Sequence, residues 1–500
     1  MPRRLFRLHT VPRRVQALMA LVLLSITVLF TVTGFSLWDA RSALRAIGHD
    51  EGPMVVATND VYLALSDMDA QVTNVLLTGA ERDWLCDVEQ DDHKDEAKTD
   101  AEKAAQKATR QDGPCVRSQS RYFYDIRRED AQRAALQAAR LAENDPVRLR
   151  TVQSVLDGLH LYDERVQAAM ERGSETGHAF GSLPENAAVE YRAATRVMTE
   201  ELLPKAGNLT LGGAADVEKS YGGPLSRMET GRTWVFGLGL AVLAALAGLQ
   251  LYLAKRFRRV ISLFLVAAAL GTVALTVAAT SLLATEADYL RLAKDDGFDP
   301  VLRLSRTRAM AKSLDADRTR ALLDPGGADR YDQTYFEKTQ AMLYITEAED
   351  LGAYYAMLGD RVERYGDDGG RPRAFGGFFG VEAAEAALRG DQETVHTLLA
   401  RYRAYQQNDQ RVRVLARGGK QEDAAKAHLD PRWRYLTHPS FRDQDDALDA
   451  RVVRHQVVVN RMVRGGEDTL RPWTWLLPVS ALAIAALVVG GVWPRLAEYR

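Results

Sequence analysis

The sequence predicts an all-α membrane protein, with four transmembrane helices and two tandem-repeat extracytoplasmic helical bundles. Three observations predict it: four charge-free apolar runs, an internal repeat at a shift of 246 residues, and helical apolar spacing in the long polar segments between the runs. The chain has 500 residues, 46% of them hydrophobic, and a formal charge of −2. Its apolar residues are concentrated in those runs, and this unevenness excludes a soluble enzyme, a fibrous protein and a nucleic-acid binder.

The runs are residues 15–37, 234–253, 260–283 and 474–493. Each approaches the roughly 20 helical residues that cross about 30 Å of hydrocarbon. In lipid an unpaired backbone amide costs several kcal/mol, so each run must be helical whatever its Val and Leu content. Basic residues precede the first run, as in a secretory signal. Its apolar core from Val15 to Leu37 nevertheless exceeds the roughly 7 to 15 residues of such a signal, so it reads as a retained anchor.

Basic residues set the orientation. Arg3, Arg4, Arg7, Arg13 and Arg14 fill the tail 1–14, Lys255, Arg256, Arg258 and Arg259 fill the linker 254–259, and Arg495 and Arg500 lie in the tail 494–500. All three short segments are therefore expected in the cytosol. They hold 11 of the 65 bases and one of the 67 acids, which leaves 54 bases against 66 acids in the segments 38–233 and 284–473. Those two segments are predicted to be the extracytoplasmic domains of a multi-pass cell-membrane protein with both termini inside. The two cysteines, Cys86 and Cys115, lie in the first of them around a very polar stretch, and a disulfide is expected there, where closing such a loop contributes about 2 to 4 kcal/mol.

At the shift of 246, the first run falls on the third. Asp69 falls on Asp315, Ala70 on Ala316, Thr73 on Thr319, Leu76 on Leu322 and Leu77 on Leu323. Farther on, Asp145 meets Asp391, Thr151 meets Thr397, Asp163 meets Asp409, Arg165 meets Arg411, Val166 meets Val412 and Gly173 meets Gly419. Each half is thus a span, an exterior domain and a returning span. Val61, Leu65, Met68, Val72 and Val75, and likewise Val152, Val155, Leu159, Tyr162 and Val166, alternate steps of four and three, the seam of nearly parallel helices. Leu398, Tyr402, Tyr405, Asp409 and Val412, and Leu448, Val452, His455, Val459 and Met462, repeat the pattern in the second half. Asp145 before Pro146, and Ser182 with Glu185, mark helix starts; Gly79, Gly173, Gly326, Gly418 and Gly419 mark stops. About four helices per exterior domain follow. Residues 39–82 are long enough for one helix of roughly 65 Å.

No residue set recommends catalysis, a metal or a cofactor. Phosphate-loop, zinc-protease, hydrolase-elbow and kinase patterns are all missing from the sequence. Gly418-Gly419-Lys420 is read as a helix stop, since Gln421 stands where a phosphate loop needs a hydroxyl. Asp87, Glu89, Asp91, Asp92 and Asp95 alternate with Lys94, Lys98, Lys103 and Lys107 and read as a solvated loop, not a calcium site. His455 reads as a packing residue. Gly237, Ala241 and Ala245, and Ala486 and Gly490, have the four-residue spacing of close helix packing. Two aromatic clusters, Tyr122-Phe123-Tyr124 and Phe375, Phe378 and Phe379, admit core packing, exterior docking of a partner or, for the second, contact with the bilayer surface. On the cytosolic side Lys255, Arg256, Phe257, Arg258 and Arg259 are the candidate partner contact, although topology already demands those charges.

Each half resembles the four-helix-bundle sensor module of bacterial chemoreceptors and sensor kinases, with Leu65-Ser66-Asp67-Met68-Asp69-Ala70 running to Leu76-Leu77-Thr78-Gly79 similar to that module's first helix. The chain departs from those families in lacking a HAMP or signalling domain. The doubled arrangement is more similar to the actinobacterial GlnX-type four-span relay. That resemblance implies a non-enzymatic sensor that responds to amino-acid availability through an extracytoplasmic solute-binding protein and signals to a cytoplasmic Ser/Thr kinase of the protein kinase G type. It also allows a homo-oligomer. No short motif carries a functional residue across. A membrane-anchored envelope scaffold and a direct small-ligand receptor are the competing readings.

Overall fold

The computed structural model describes residues 11–78, 116–257, 262–367, 376–389, 392–429 and 452–497. The expected Cys86–Cys115 disulfide, the acidic loop, Gly79, Phe375, Arg258, Arg259 and Leu448 lie outside the described residues. Among those described, the chain is helical, with one isolated bridge between Tyr344 and Gly376 and no strand.

The helices are α1 (Val11–Arg45), α2 (Glu51–Thr78), α3 (Val116–Leu141), α4 (Pro146–Thr176), α5 (Glu185–Arg196), α6 (Leu203–Phe257), α7 (Leu263–Arg291) and α8 (Asp299–Leu323). They continue with α9 (Ala328–Met342), α10 (Leu351–Asp367), α11 (Gly377–Arg389), α12 (Gln392–Arg417), α13 (Gln421–Leu429), α14 (452–470) and α15 (Trp473–Ala497). Two compact units result. One comprises Met1–Pro53, Gly213–Asp299 and His455–Arg500; the other comprises Met54–Gly212 and Pro300–Arg454.

Among the described residues, four helical stretches are long and apolar enough to cross a membrane, and their apolar runs fall in the first unit. On α1, Val22, Ile26, Leu29 and Thr33 are buried in steps of four and three while Leu21, Leu24, Val28 and Phe35 stay exposed. On α7, Leu265, Ala268, Thr272, Thr276, Ala279 and Leu283 are buried while Leu270, Val273 and Val277 are not. Helices apolar on both their packed and open faces are what lipid as a solvent requires. Hydroxyls within the runs are satisfied locally: Ser25, Thr27, Thr31 and Thr33 each donate to the carbonyl four residues back. Trp38, Trp234, Trp475 and Trp493 are exposed at the ends of the runs, the placement of an interfacial aromatic belt.

The close approaches between these helices use different glycines from those expected. A side chain at Gly231 would strike Ser36, and one at Gly239 would lie 2.5 Å from Thr276, whereas Gly237 and Gly490 face open space. The expectation rested on four-residue spacing, which occurs on every face of an Ala-rich helix. Spacing alone does not say which face meets a neighbour.

Three π-helical turns, at Ala46–Asp50, Val197–Leu202 and Leu292–Phe298, interrupt long helical runs. Each is followed within a few residues by a proline: Pro53, Pro204 and Pro300. Proline has no N–H and its ring presses on the carbonyl of the preceding turn, so the wider turn accommodates it without ending the helix. The turns beginning at Ala46 and Leu292 are separated by the repeat shift of 246 residues. Both also admit close contact with one helix: Cβ atoms at Gly48 and Gly297 would lie 2.5 Å from Val463 and Val459, one turn apart on α14.

In the second unit, the predicted seam residues Val61, Leu65, Met68, Val72 and Val75 on α2, and Val152, Val155, Leu159, Tyr162 and Val166 on α4, are all buried in one core. α2 and α4 run parallel, with the Tyr162 hydroxyl donating to Asp69 (3.1 Å) and the Gly181 amide donating to the Leu77 carbonyl (3.0 Å). Leu322, Leu323, Val412, Ala424, Ala425 and Leu429 from the second half complete the same core. A further core, of Tyr335, Tyr354, Leu358, Phe379, Leu399 and Tyr402, belongs to the second half.

Asp145 caps α4 as expected, accepting from the amides of Val147 and Arg148. Burial remains low there, and the two hydrogen bonds hold the Asp145 carboxyl below its usual range. Helix α12 stops at Arg417 with Gly419 at φ 73°. Two boundaries differ from expectation. Ser182 donates to Ala179 in a turn and α5 starts after Pro184, because the residue before a proline is pushed out of the helical region and Pro184 itself is extended at ψ 146°. Gly173 lies inside α4, which ends at Thr176 before Gly177 at φ 54°. The second half is also more divided than four helices. Asp324-Pro325 ends α8, and Gly377, at φ 71° with a Cβ position 2.7 Å from the Ala341 carbonyl, leaves room for nothing but glycine.

Candidate functional site

Helices α2 and α8 are the equivalent first helices of the two halves, and they share a buried layer of charge in the second unit. On α2, Asp67 and Asp69 are both buried. Asp67 accepts from Arg127 Nε of α3 (2.8 Å) and Gln71 (3.1 Å) and lies 3.5 Å from Lys312 of α8. Asp69 takes the Tyr162 hydroxyl on one oxygen and pairs with Arg320 on the other.

Arg320 is 0% exposed, the largest side chain so enclosed. Its neighbours Ala316, Asp317, Arg318, Thr319, Leu322 and Leu323 are buried as well, so this end of α8 is enclosed on every side. Asp317, one turn back on α8, pairs with Arg320 as well as with Lys338 of α9, and Lys338 also donates to Ser313 (2.5 Å). Beyond this centre, Asn74 Oδ1 and Thr319 Oγ1 lie 3.2 and 3.1 Å from His428 Nε2, and Arg192 donates to Asp324 (3.1 Å). Every one of these links joins residues of the first half to residues of the second, or supports one that does.

A second polar centre surrounds Asp409, which is 0% exposed. It accepts from the Tyr355 hydroxyl and from Arg413 Nε (2.7 Å), with Arg318 Nε 3.8 Å away. Arg413 in turn pairs with Asp332, which also binds Arg417. Burial pushes the Asp409 carboxyl up to about 6 and, with the adjacent Arg318 and Arg417 charges, pushes Arg413 down to about 9. Both shifts disfavour charge, so desolvation outweighs attraction in this pair. The counterpart in the first half is Asp163, which takes the Tyr124 hydroxyl at 2.5 Å and Arg128 at 3.1 Å. Burial and Asp163 hold the Tyr124 phenol well above its usual value. Asp163 and Asp409 are a pair that the shift of 246 aligned, and in both halves a tyrosine of a neighbouring helix closes on the aspartate.

The aromatic clusters divide. Tyr124 is buried and Phe123 half-buried, while Tyr122 stands 64% exposed beside the Phe123 ring. Phe379 is buried against Tyr402, with ring centroids 4.9 Å apart, and Phe378 is half-buried. On the linker side, Lys255 is exposed near the end of α6, where Arg256 and Phe257 complete the helix. The structure does not bring these sets together. Sequence reasoning aligned Asp69 with Asp315 and Asp163 with Asp409 but passed over Arg320, Asp317, Lys312 and Lys338. No helical period singles out Arg320, because α8 is buried on every side from Ala316 to Arg320.

An actinobacterial sensor domain family model matches the chain over residues 43–117 and 97–222. The matched residues include α2 to α5, hence Asp67, Asp69, Tyr124 and Asp163. No curated protein and no solved structure matches the chain.

Proposed function

We propose that the protein is a non-enzymatic transmembrane sensor and signal relay. It detects amino-acid availability outside the cell through a docked solute-binding protein and passes the signal to a separate cytoplasmic Ser/Thr kinase. The match of residues 43–222 to a sensor domain, on a chain with four helices apolar enough to span a membrane, supports the sensing part of this reading; the cue, the binding protein and the kinase rest on the resemblance to the four-span relay.

The charged layer supports a switching role. Buried ion pairs contribute little net stability because desolvation offsets attraction, yet breaking one is costly, so they specify one arrangement of helices against others. Docking that favours one arrangement of α2 against α8 would shift the equilibrium by its differential affinity, typically about 1 to 3 kcal/mol. The layer and the spans are linked through helix: α1 passes through the Ala46–Asp50 π turn into α2, and α7 passes through the Leu292–Phe298 turn into α8. On the cytoplasmic side, the linker Lys255-Arg256-Phe257-Arg258-Arg259 is the proposed kinase contact.

Replacing Lys255, Arg256, Arg258 and Arg259 with glutamine in the full-length protein tests the relay. Reporter fusions would verify insertion, and kinase-substrate phosphorylation would be followed as amino acids are withdrawn. Loss of the response with insertion intact is expected; an unchanged response overturns the relay. Crosslinking in native membranes should capture a solute-binding protein on the exterior unit.

A further inference from the structure

The apolar run on α7 ends at Leu283, and its buried stripe continues past that point. Thr272, Thr276, Ala279, Leu283, Glu286 and Leu290 are all buried, in steps of four and three, so Glu286 occupies a packing position one turn beyond the span. It is 0% exposed.

Two helices of the first unit, α14 and α1, close over it. Thr469 Oγ1 on α14 donates to Glu286 Oε1, while Oε2 has no hydrogen-bond partner among the described residues. A Cβ at Gly466 would lie 2.8 Å from Oε2 and 2.6 Å from Leu44 of α1, so glycine there leaves just the space the carboxyl and Leu44 occupy.

The surrounding charges are directed elsewhere. On α1, Arg41 favours the charged form of Glu286 from a distance but donates to the Leu470 carbonyl and the Thr474 hydroxyl, both at 2.7 Å, and Asp39 pairs with Arg227 of α6 (3.1 Å); in the π turn that follows, His49 pairs with Glu467 of α14 (2.9 Å). On α7, Arg291 binds Glu229 of α6 and lies 3.7 Å from Asp288. No cation lies within 4 Å of the Glu286 carboxyl among the described residues. A carboxylate without a counter-ion, held by one hydroxyl in an apolar enclosure, is destabilised relative to its neutral acid.

We propose that Glu286 is a proton-binding site that controls the packing of α7 against α1 and α14 beside the apolar spans. In the neutral state the carboxyl fills the enclosure under Gly466. When the proton leaves, the bare carboxylate draws water or Arg41 toward it and loosens the contact.

The test uses the full-length protein in lipid nanodiscs. Infrared difference spectra across a pH titration should show a protonated-carboxyl carbonyl band that is lost as pH rises in the wild type and is missing from Glu286→Gln. Hydrogen exchange of amides 465–470, corrected for the intrinsic pH effect, should quicken about tenfold over the same range in the wild type and stay flat in Glu286→Gln. Thr469→Val removes the one donor that favours the charged form and should move the band's midpoint upward by about one pH unit, the equivalent of a tenfold change. Identical spectra for wild type and Glu286→Gln, or an unmoved midpoint in Thr469→Val, overturn the proposal. Should Glu286→Gln fail to fold, the Thr469→Val titration decides alone.

Discussion

Aligned at 246 residues, the two halves keep different things to different degrees. Shape is retained: the π turns at Ala46 and Leu292 with their following prolines, the buried Thr73 and Thr319, the buried Leu76-Leu77 and Leu322-Leu323, and a tyrosine closed on Asp163 or Asp409. Charge is not. Arg320 stands where the first half has Asn74, Lys312 where it has Ser66, and Glu286 where it has Ala40. The physical reason follows from the packing of α2 on α8. Equivalent helices that face each other can share apolar shape, but like charges opposed across a dry contact repel, so the acids of one half need bases from the other.

The largest expected effect breaks that complementarity at its centre. Arg320→Asn, which restores the residue type of Asn74, leaves Asp69 buried without its base and Asp317 with Lys338 alone, and should cost about 3 to 5 kcal/mol of stability. Thermal unfolding of the purified full-length protein measures it. A loss below about 1 kcal/mol would show that charge divergence does not hold the halves together.

Next in size is the pH dependence that Asp409 adds in the second half. Folding raises the Asp409 carboxyl to about 6, so between about 4 and 6 the folded state binds a proton that the unfolded state has released. Stability from this group is therefore full below that window, falls as pH rises through it, and is level above; two pKa units correspond to about 3 kcal/mol. Denaturant unfolding at several pH values should show that slope in the wild type and a shallower one in Asp409→Asn, where the share of Glu286 remains.

A paired test sharpens the comparison between the repeated tyrosines. Tyr355→Phe strips a donor from a fully enclosed aspartate and should cost about 2 kcal/mol, whereas Tyr124→Phe acts on the partly exposed Asp163 and should cost about 1 kcal/mol. Equal losses would mean that the two centres are energetically alike despite their different burial. Smallest is Gly419→Ala, a helix stop at positive φ facing open space, which should lower stability by about 1 kcal/mol from backbone strain alone.

Much of the fold was legible because helical period is a local property. The seam on α4 was read residue by residue from Val152 to Val166, and all of it is buried. Asp145 with Pro146 announced a helix start through backbone chemistry that needs no distant partner. The candidate site was legible only in part. Asp69, Asp163 and Asp409 emerged from the repeat, but their partners are supplied by other helices; Arg320 lies where α8 is buried on every side, and Glu286 continues a plain buried stripe. Glu286 was passed over because a span was defined by its lack of charge, and that definition stops at Leu283 while the packed face of α7 does not.

By itself, then, the order of residues determined which stretches are helical, which can lie in lipid, and that one half echoes the other, because each depends on hydrophobicity and period over short distances. Which glycines touch, which aspartate meets which arginine, and that α2 and α8 close a single core were decided by tertiary packing. Those outcomes depend on where a helix face points after folding, and a helix of alanines and arginines offers several faces that local sequence cannot tell apart.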